Sequence, residues 1–256
     1  MPAILYCDDH LVAIDKPAGL LVHRTAIAAG AQGFALQRVR DQLGQRVYPV
    51  HRLDRPVSGV LLLALSADVA RPLSRLFATR AVAKAYLGVV RGWPEAEGVI
   101  DYPLSGGPGQ PARPAQTRFR VLARVELPVA VGRYPSSRYA LMAVWPSTGR
   151  YHQIRRHFHH VCHPLIGDTT HGEGRHNRFF RESLGVGRLL LHAGSVRFRH
   201  PLSGADLRIR APVDGAWSAL LDRLSWKGAL DADPLSQVPC GERAPRETEG
   251  AVPESP

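Results

Sequence analysis

The chain has 256 residues, 45% of them hydrophobic, enough to bury a sizeable core in one large domain or two small ones. Its 33 lysines and arginines against 22 acids give +11; residues 231–256 hold six acids and two arginines, which leaves +15 on residues 1–230. Three cysteines without related spacing exclude a disulfide framework and a four-cysteine zinc site, and no apolar run nears the roughly 18 residues of a membrane span.

Charge of that size favours a polyanion. It is carried almost wholly by arginine, whose planar fork suits phosphate contacts and base stacking better than lysine does, so nucleic acid is the expected partner. A merely solvated, arginine-rich surface is the plainer alternative. No charged-then-apolar leader opens the sequence, and the cytoplasm is the expected compartment. Neither a membrane nor an obligatory protein partner is indicated.

Residues 3–7 and 11–15 read as short strands joined at Asp8-Asp9-His10, and Lys16-Pro17-Ala18-Gly19 makes the next turn. Residues 51–58 form a Pro-punctuated loop that opens onto the apolar run 59–65, a buried strand. The loop places one carboxylate, Asp54, between Arg52 and Arg55. These neighbours are expected to keep it ionised, since an opposite charge within a few ångströms lowers a carboxyl pKa by about 1 to 3 units. An ionised carboxylate on a loop carried by a rigid strand can serve as a nucleophile; an ordinary turn aspartate would look the same locally.

Ser66 is a suitable N-cap for a helix that puts Val69, Leu73, Leu76 and Phe77 on one side, with Pro72 expected to kink or shorten it. Residues 85–90 read as a strand with Tyr86 near its start, and the Gly- and Pro-dense residues 105–115 as a loop or insertion. Residues 139–145 form a strand, Thr148-Gly149 a turn, and residues 152–161 a short helix with Ile154, Phe158 and Val161 at i, i+4 and i+7. Arg155 and His159 share an adjacent face of it. Residues 189–198 give another strand and 217–224 a closing helix. From Asp231 onward, five prolines and mixed charge predict disorder. Runs of strands with few interposed helices predict an α+β fold with a mostly antiparallel sheet.

Five segments, in order, resemble the RluA-type pseudouridine synthases. They are His51-Arg52-Leu53-Asp54 with Ser58-Gly59; Lys84-Ala85-Tyr86-Leu87; Thr148-Gly149-Arg150-Tyr151-His152-Gln153-Ile154-Arg155-Arg156-His157; His163-Pro164-Leu165-Ile166-Gly167-Asp168; and Leu189-Leu190-Leu191-His192-Ala193. The resemblance covers about residues 3–230. It implies the pseudouridine synthase fold, a mixed central sheet crossed by a cleft with peripheral helices, as one catalytic domain over residues 1–230. No S4-type RNA-binding domain is expected ahead of it, and residues 231–256 are expected to form a tail.

The same resemblance implies an isomerase that turns a uridine in RNA into pseudouridine, without a cofactor, by covalent or general-base catalysis. Asp54 matches the family's catalytic aspartate. Arg52 matches the arginine that fills the space left by the flipped base, Tyr86 the tyrosine that stacks on the uracil and assists the late proton loss from C5, and Arg155 the arginine that pairs with the aspartate. Leu191 corresponds to the apolar pocket residue under the uracil. Two less generic stretches, residues 131–139 and 171–178, resemble the branch of the family that acts on uridine 65 of tRNA.

Three alternatives stay open. The same chemistry could act on a ribosomal RNA uridine. An RNA-binding module without turnover would have no use for Asp54. A carboxylate-dependent hydrolase needs a second acid, and the nearest candidate, Asp168, reads as a turn residue. His152, His157, His159, His160 and His163 with Cys162 invite a metal, but the segment lacks a HExxH pattern, a cysteine pair or a close carboxylate, and His163 precedes a proline. No metal is expected there.

Overall fold

The structure, a computed structural model, describes residues 1–23, 33–106, 109–231, 233, 235 and 236. It begins with the expected hairpin, β1 (Ala3–Cys7) and β2 (Leu11–Lys16). Asp8 makes the turn: its Oδ1 accepts from the backbone N–H groups of His10 and Leu11, both at 2.8 Å. Helix α1 (Ala35–Leu43) follows, closed by Gly44 at φ 65°, and then β3 (Tyr48–Pro49) and β4 (Ser58–Ala64). Along β4, Val60, Leu62 and Ala64 enter one core cluster and Leu61 and Leu63 another. The strand is buried on both faces, which is why it reads as an unbroken apolar run.

Ser66 caps α2 (Ala67–Ala78), accepting from the Val69 N–H at 3.2 Å. The helix continues through Pro72 for 12 residues in all. A proline in the second turn forfeits one backbone hydrogen bond, and burial of Val69 and Leu73 offsets that loss. Next come β5 (Ala83–Arg91), β6 (Glu97–Asp101), β7 (Leu104–Ser105), β8 (Ala112–Arg113), β9 (Gln116–Leu127) and β10 (Ser137–Pro146). The stretch expected as a loop thus holds a small ribbon, β7 paired with β8, anchored by buried Leu104 and by Arg156, whose Nη1 donates to the Ser105 carbonyl at 2.8 Å. Helices α3 (Gln153–His160) and α4 (Gly174–Ser183), strands β11 (Leu191–Arg199) and β12 (Asp206–Arg210), helix α5 (Gly215–Arg223) and a 3-10 turn (Lys227–Leu230) complete it.

Ten strands form one sheet in the order β1-β2-β4-β11-β5-β10-β9-β6, with β12 beside β11 and β3 beside β4. Every pair of these strands is antiparallel except β4 with β11, so the fold is α+β with the mostly antiparallel mixed sheet expected. Ala35 and Val39 of α1 and Ile154 and Phe158 of α3 pack on one face. The other face is covered by α2 and, through Phe180, Trp217, Leu220 and Leu221, by α4 and α5.

The parallel seam is two pairs long, His192 with Ser58 and Ala193 with Gly59. Gly59 sits at φ 111°, and a Cβ there would collide with the Ala193 backbone, so this position requires glycine. Ser58 Oγ lies 2.9 Å from His192 Nδ1, and His192 Nε2 lies 3.2 Å from the Ala211 carbonyl. Burial pushes the His192 pKa down. A neutral ring that donates from Nε2 and accepts the Ser58 hydroxyl proton satisfies both contacts. At the chain's end Leu235 packs with the α5 cluster and Asp233 pairs with Arg210. Residues 237–256, most of the stretch expected to be disordered, lie outside the described residues.

Candidate active site

The loop between β3 and β4 is riveted from below by Lys16, the last residue of β2. Its Nζ donates to the carbonyls of Pro17 and Leu20 at 2.9 Å and of Arg55 at 3.2 Å. Burial pushes the Lys16 pKa down to about 7, against the pull of the Asp54 and Asp15 carboxylates. A second tie comes from His51, whose Nε2 accepts from the Leu62 N–H at 2.9 Å while its ring stacks on Phe77 at 4.3 Å. Burial, helped by Lys84, pushes His51 down to about 3, so the ring is a neutral acceptor.

Held this way, Asp54 presents a carboxylate that is 21% exposed. The arginines beside it in sequence are not its partners: Arg55 Nε donates to the Gly19 carbonyl at 3.1 Å, and Arg52 is exposed on the cleft wall. The facing guanidinium belongs to Arg155 on α3, with Nη1 3.1 Å from Asp54 Oδ2.

Arg155 is itself immobilised. Its Nε and Nη2 donate to Asp168 Oδ2 and Oδ1 at 2.7 and 2.8 Å, a bidentate pair in which the Asp168 side chain is 0% exposed. Asp168 Oδ1 also accepts from the N–H groups of Thr170 and His171, at 2.9 and 3.0 Å. Burial alone would raise the Asp168 pKa, but these donors hold it below the usual carboxylate value. Asp168 is therefore a turn residue, as read from sequence, and also the anchor of the arginine that faces Asp54. Asn177 of α4 brackets the turn, accepting from the Gly167 N–H at 2.7 Å and donating to the Asp168 carbonyl at 2.8 Å.

Above Asp54 opens a cleft of about 600 Å³, within the range of small-ligand sites. Arg52, Asp54, Tyr86, Arg155 and Leu191, separated by up to 139 positions of sequence, all line it. Tyr86 is half-buried in β5; burial, with the charge of Asp54, raises its phenol pKa and keeps it neutral. Leu191 is buried and belongs both to the cleft and to the core. Three lining residues were not singled out from the sequence for a role at Asp54. Lys84 donates to the Thr148 carbonyl at 3.1 Å and is pushed down to about 8 by burial, with Arg80 adding to the effect. Arg80 lies on the rim, and His152 has its Nε2 3.6 Å from Asp54 Oδ2.

The other histidines are occupied elsewhere. His157 bonds Thr117 Oγ1 at 2.9 Å and the Tyr102 carbonyl at 3.0 Å, His160 stacks on Tyr102 at 3.6 Å, and His163 bonds the Arg91 carbonyl at 2.9 Å. Among the described residues no three histidine, cysteine or acidic side chains gather as metal ligands. No helix of the described residues is long and apolar enough to cross a membrane.

Asp54 is the sole acid among the described residues lining the cleft, whose walls also carry Arg52, Arg80, Lys84, Arg150 and Arg155. One open carboxylate under a ring of cations can act as a nucleophile or base on an anionic substrate, but offers no acid–base pair of carboxylates. The fold and cleft thus define a protein with one open carboxylate in a cation-lined cleft on a mixed α+β sheet.

Residues 10–160 match the family model described as RNA pseudouridylate synthase. The chain is 49% identical over 240 residues to a protein of Pectobacterium carotovorum subsp. carotovorum named tRNA pseudouridine synthase C, covering 90% of this chain and 64% of that relative's length. It is 47% identical over 240 residues to a protein of the same name from Vibrio cholerae, covering 90% of this chain and 98% of the relative. Among solved structures, human RNA pseudouridylate synthase domain containing 4 superposes with a TM-score of 0.67 at 26% identity, over 87% of this chain and 93% of that one. The chain belongs to the RNA pseudouridylate synthase family, and its fold is the pseudouridine synthase fold.

Proposed function

We propose that this protein isomerises a uridine of tRNA, uridine 65, to pseudouridine in the cytoplasm, with Asp54 as its catalytic group. The observation that carries the reading is the Asp54–Arg155 pair, at 3.1 Å, at the base of a cleft that Tyr86 also lines. Names of the relatives, tRNA pseudouridine synthase C, support tRNA as the substrate.

The reaction breaks the bond from ribose C1′ to uracil N1, turns the base and joins C1′ to C5. N1 takes up a proton where C5 gives one up, so no oxidant, energy source or cofactor is needed. The uridine must first leave its stack, at a cost of a few kcal/mol. Tyr86, a neutral phenol, offers a stacking face worth roughly 1 to 3 kcal/mol, and Leu191 gives an apolar surface beneath the base. Arg52, exposed at the cleft wall, takes the place the base has left. Asp54 then attacks or deprotonates the nucleoside, and Arg155 fixes the carboxylate's direction.

Mapping pseudouridine in tRNA and ribosomal RNA from cells lacking the protein tests the substrate. Loss at uridine 65 of tRNA is expected; loss confined to a ribosomal RNA position would leave the chemistry and overturn the substrate. Asp54→Asn keeps the side chain's volume and is expected to abolish turnover while tRNA affinity changes by no more than about threefold. Pseudouridine formation by the purified variant would remove Asp54 from the role.

A further inference from the structure

His152 precedes α3 with φ 50° and ψ 32°, a left-handed conformation that side chains other than glycine rarely adopt. Such a conformation persists where the surroundings over-determine it, and its side chain then has a fixed direction. Three contacts set the ring: it stacks on Tyr151 at 3.8 Å and 19°, its Nδ1 lies 3.0 Å from His171 Nε2, and its Nε2 lies 3.6 Å from Asp54 Oδ2. Arg155 and Asp168 complete the charges around it.

The contacts select one tautomer. Burial holds His152 neutral, down to about 4, against the pull of Asp54. A bare Nε2 lone pair would repel the carboxylate, so Nε2 carries the hydrogen. Nδ1 then accepts, which makes His171 Nε2 the donor. His171 therefore donates to His152, whose Nε2–H is directed toward Asp54. Nε2 and Oδ2 are beyond hydrogen-bond distance, and such contacts commonly tighten when substrate binds.

We propose that His152 is a positioning residue for Asp54: together with Arg155 it holds Oδ2, which turns Oδ1 toward the nucleoside, and His171 supplies the tautomer that makes this possible. Arg155 meets one oxygen from one side, a single contact at 3.1 Å that leaves the carboxylate room to turn about the Cβ–Cγ bond. A second donor on the same oxygen narrows that room. The proposal rests on Asp54 being the reacting group.

The test compares purified full-length His152→Asn and His152→Gln with the unmodified enzyme on folded tRNA, with Asp54→Asn as the control. Asparagine tolerates the left-handed backbone but cannot reach Asp54; glutamine reaches it with an amide N–H. His152→Asn is expected to lower kcat by about tenfold to a hundredfold with tRNA affinity and KM within about twofold, and His152→Gln to recover most of that loss. An unchanged kcat in His152→Asn, or equal losses in both variants, would overturn the proposal. Should neither variant fold, His171→Leu removes the donor without touching the α3 backbone; kcat is expected to fall about threefold to tenfold, and an unchanged kcat overturns the relay. Turnover by the Asp54→Asn control would instead sink the assignment on which all of this stands.

Discussion

The Asp168 side chain meets no solvent and lies behind Arg155, yet it decides where that guanidinium points. Removing one member of a buried ion pair strands the other's charge, at a cost of about 3 to 5 kcal/mol. Asp168→Asn keeps the shape and the Thr170 contact, so a loss of about 3 kcal/mol in denaturant unfolding is expected, with kcat lowered more than tRNA affinity. The histidines set the acid limit. His51 titrates near 3 when folded and near 6.5 when unfolded, so between those values the unfolded chain holds the extra proton. Stability is therefore full above about pH 6.5 and falls below it, by up to about 1.4 kcal/mol per pH unit for such a group. Asp168, depressed, adds its own loss only as pH drops through its folded value, below the ordinary 3.8. Thermal melts from pH 7 to 4 are expected to show the decline, flattened in His51→Gln.

The elements that carry Asp54 and Tyr86 were legible because their signals are local. The apolar run of β4, the Ser66 cap of α2 and the apolar spacing of Ile154 and Phe158 in α3 each show in a short window. Helices α1 and α4 were missed: neither Phe34 nor Glu173 caps with its side chain, and each helix buries two residues. Strand β9 did carry a signal, Thr117, Phe119 and Val121 alternating with arginines, that went unread. The Asp168 anchor could not be read locally, since a buried bidentate pair and a solvated turn aspartate look alike until Arg155 is placed beside it. Gly59 is the element-scale test. Gly59→Ala pushes β4 off β11 at the seam, and a stability loss of at least about 2 kcal/mol in denaturant melts is expected, with activity falling further than stability alone explains.

Residues 1–230 carry +15 in all, and five of their cations line the cleft. On the proposed reading, each phosphate contacted contributes about −0.7 to −0.9 to the slope of log affinity against log salt. Arg175 and Arg178 lie exposed on α4, whose foot is fastened by Arg91 to Glu173 at 2.5 Å. Replacing both with alanine is expected to reduce that slope by about 1.4 to 1.8 and to raise KM for tRNA more than it lowers kcat. Equal slopes in filter-binding titrations would mean that α4 stays clear of the RNA.

The two-pair seam joins chain segments made at very different times. Ser58 meets His192 across 134 residues, and Asp54 meets Arg155 across 101. At roughly 5 to 20 residues per second, the ribosome releases the Asp54 loop about 7 to 27 seconds before the strand that floors it. For most of that interval the nascent chain carries a carboxylate without its guanidinium, and throughout it without a complete cleft. It can associate with RNA through charge but cannot yet rearrange a nucleoside, so chemistry is deferred until most of the polypeptide has been translated.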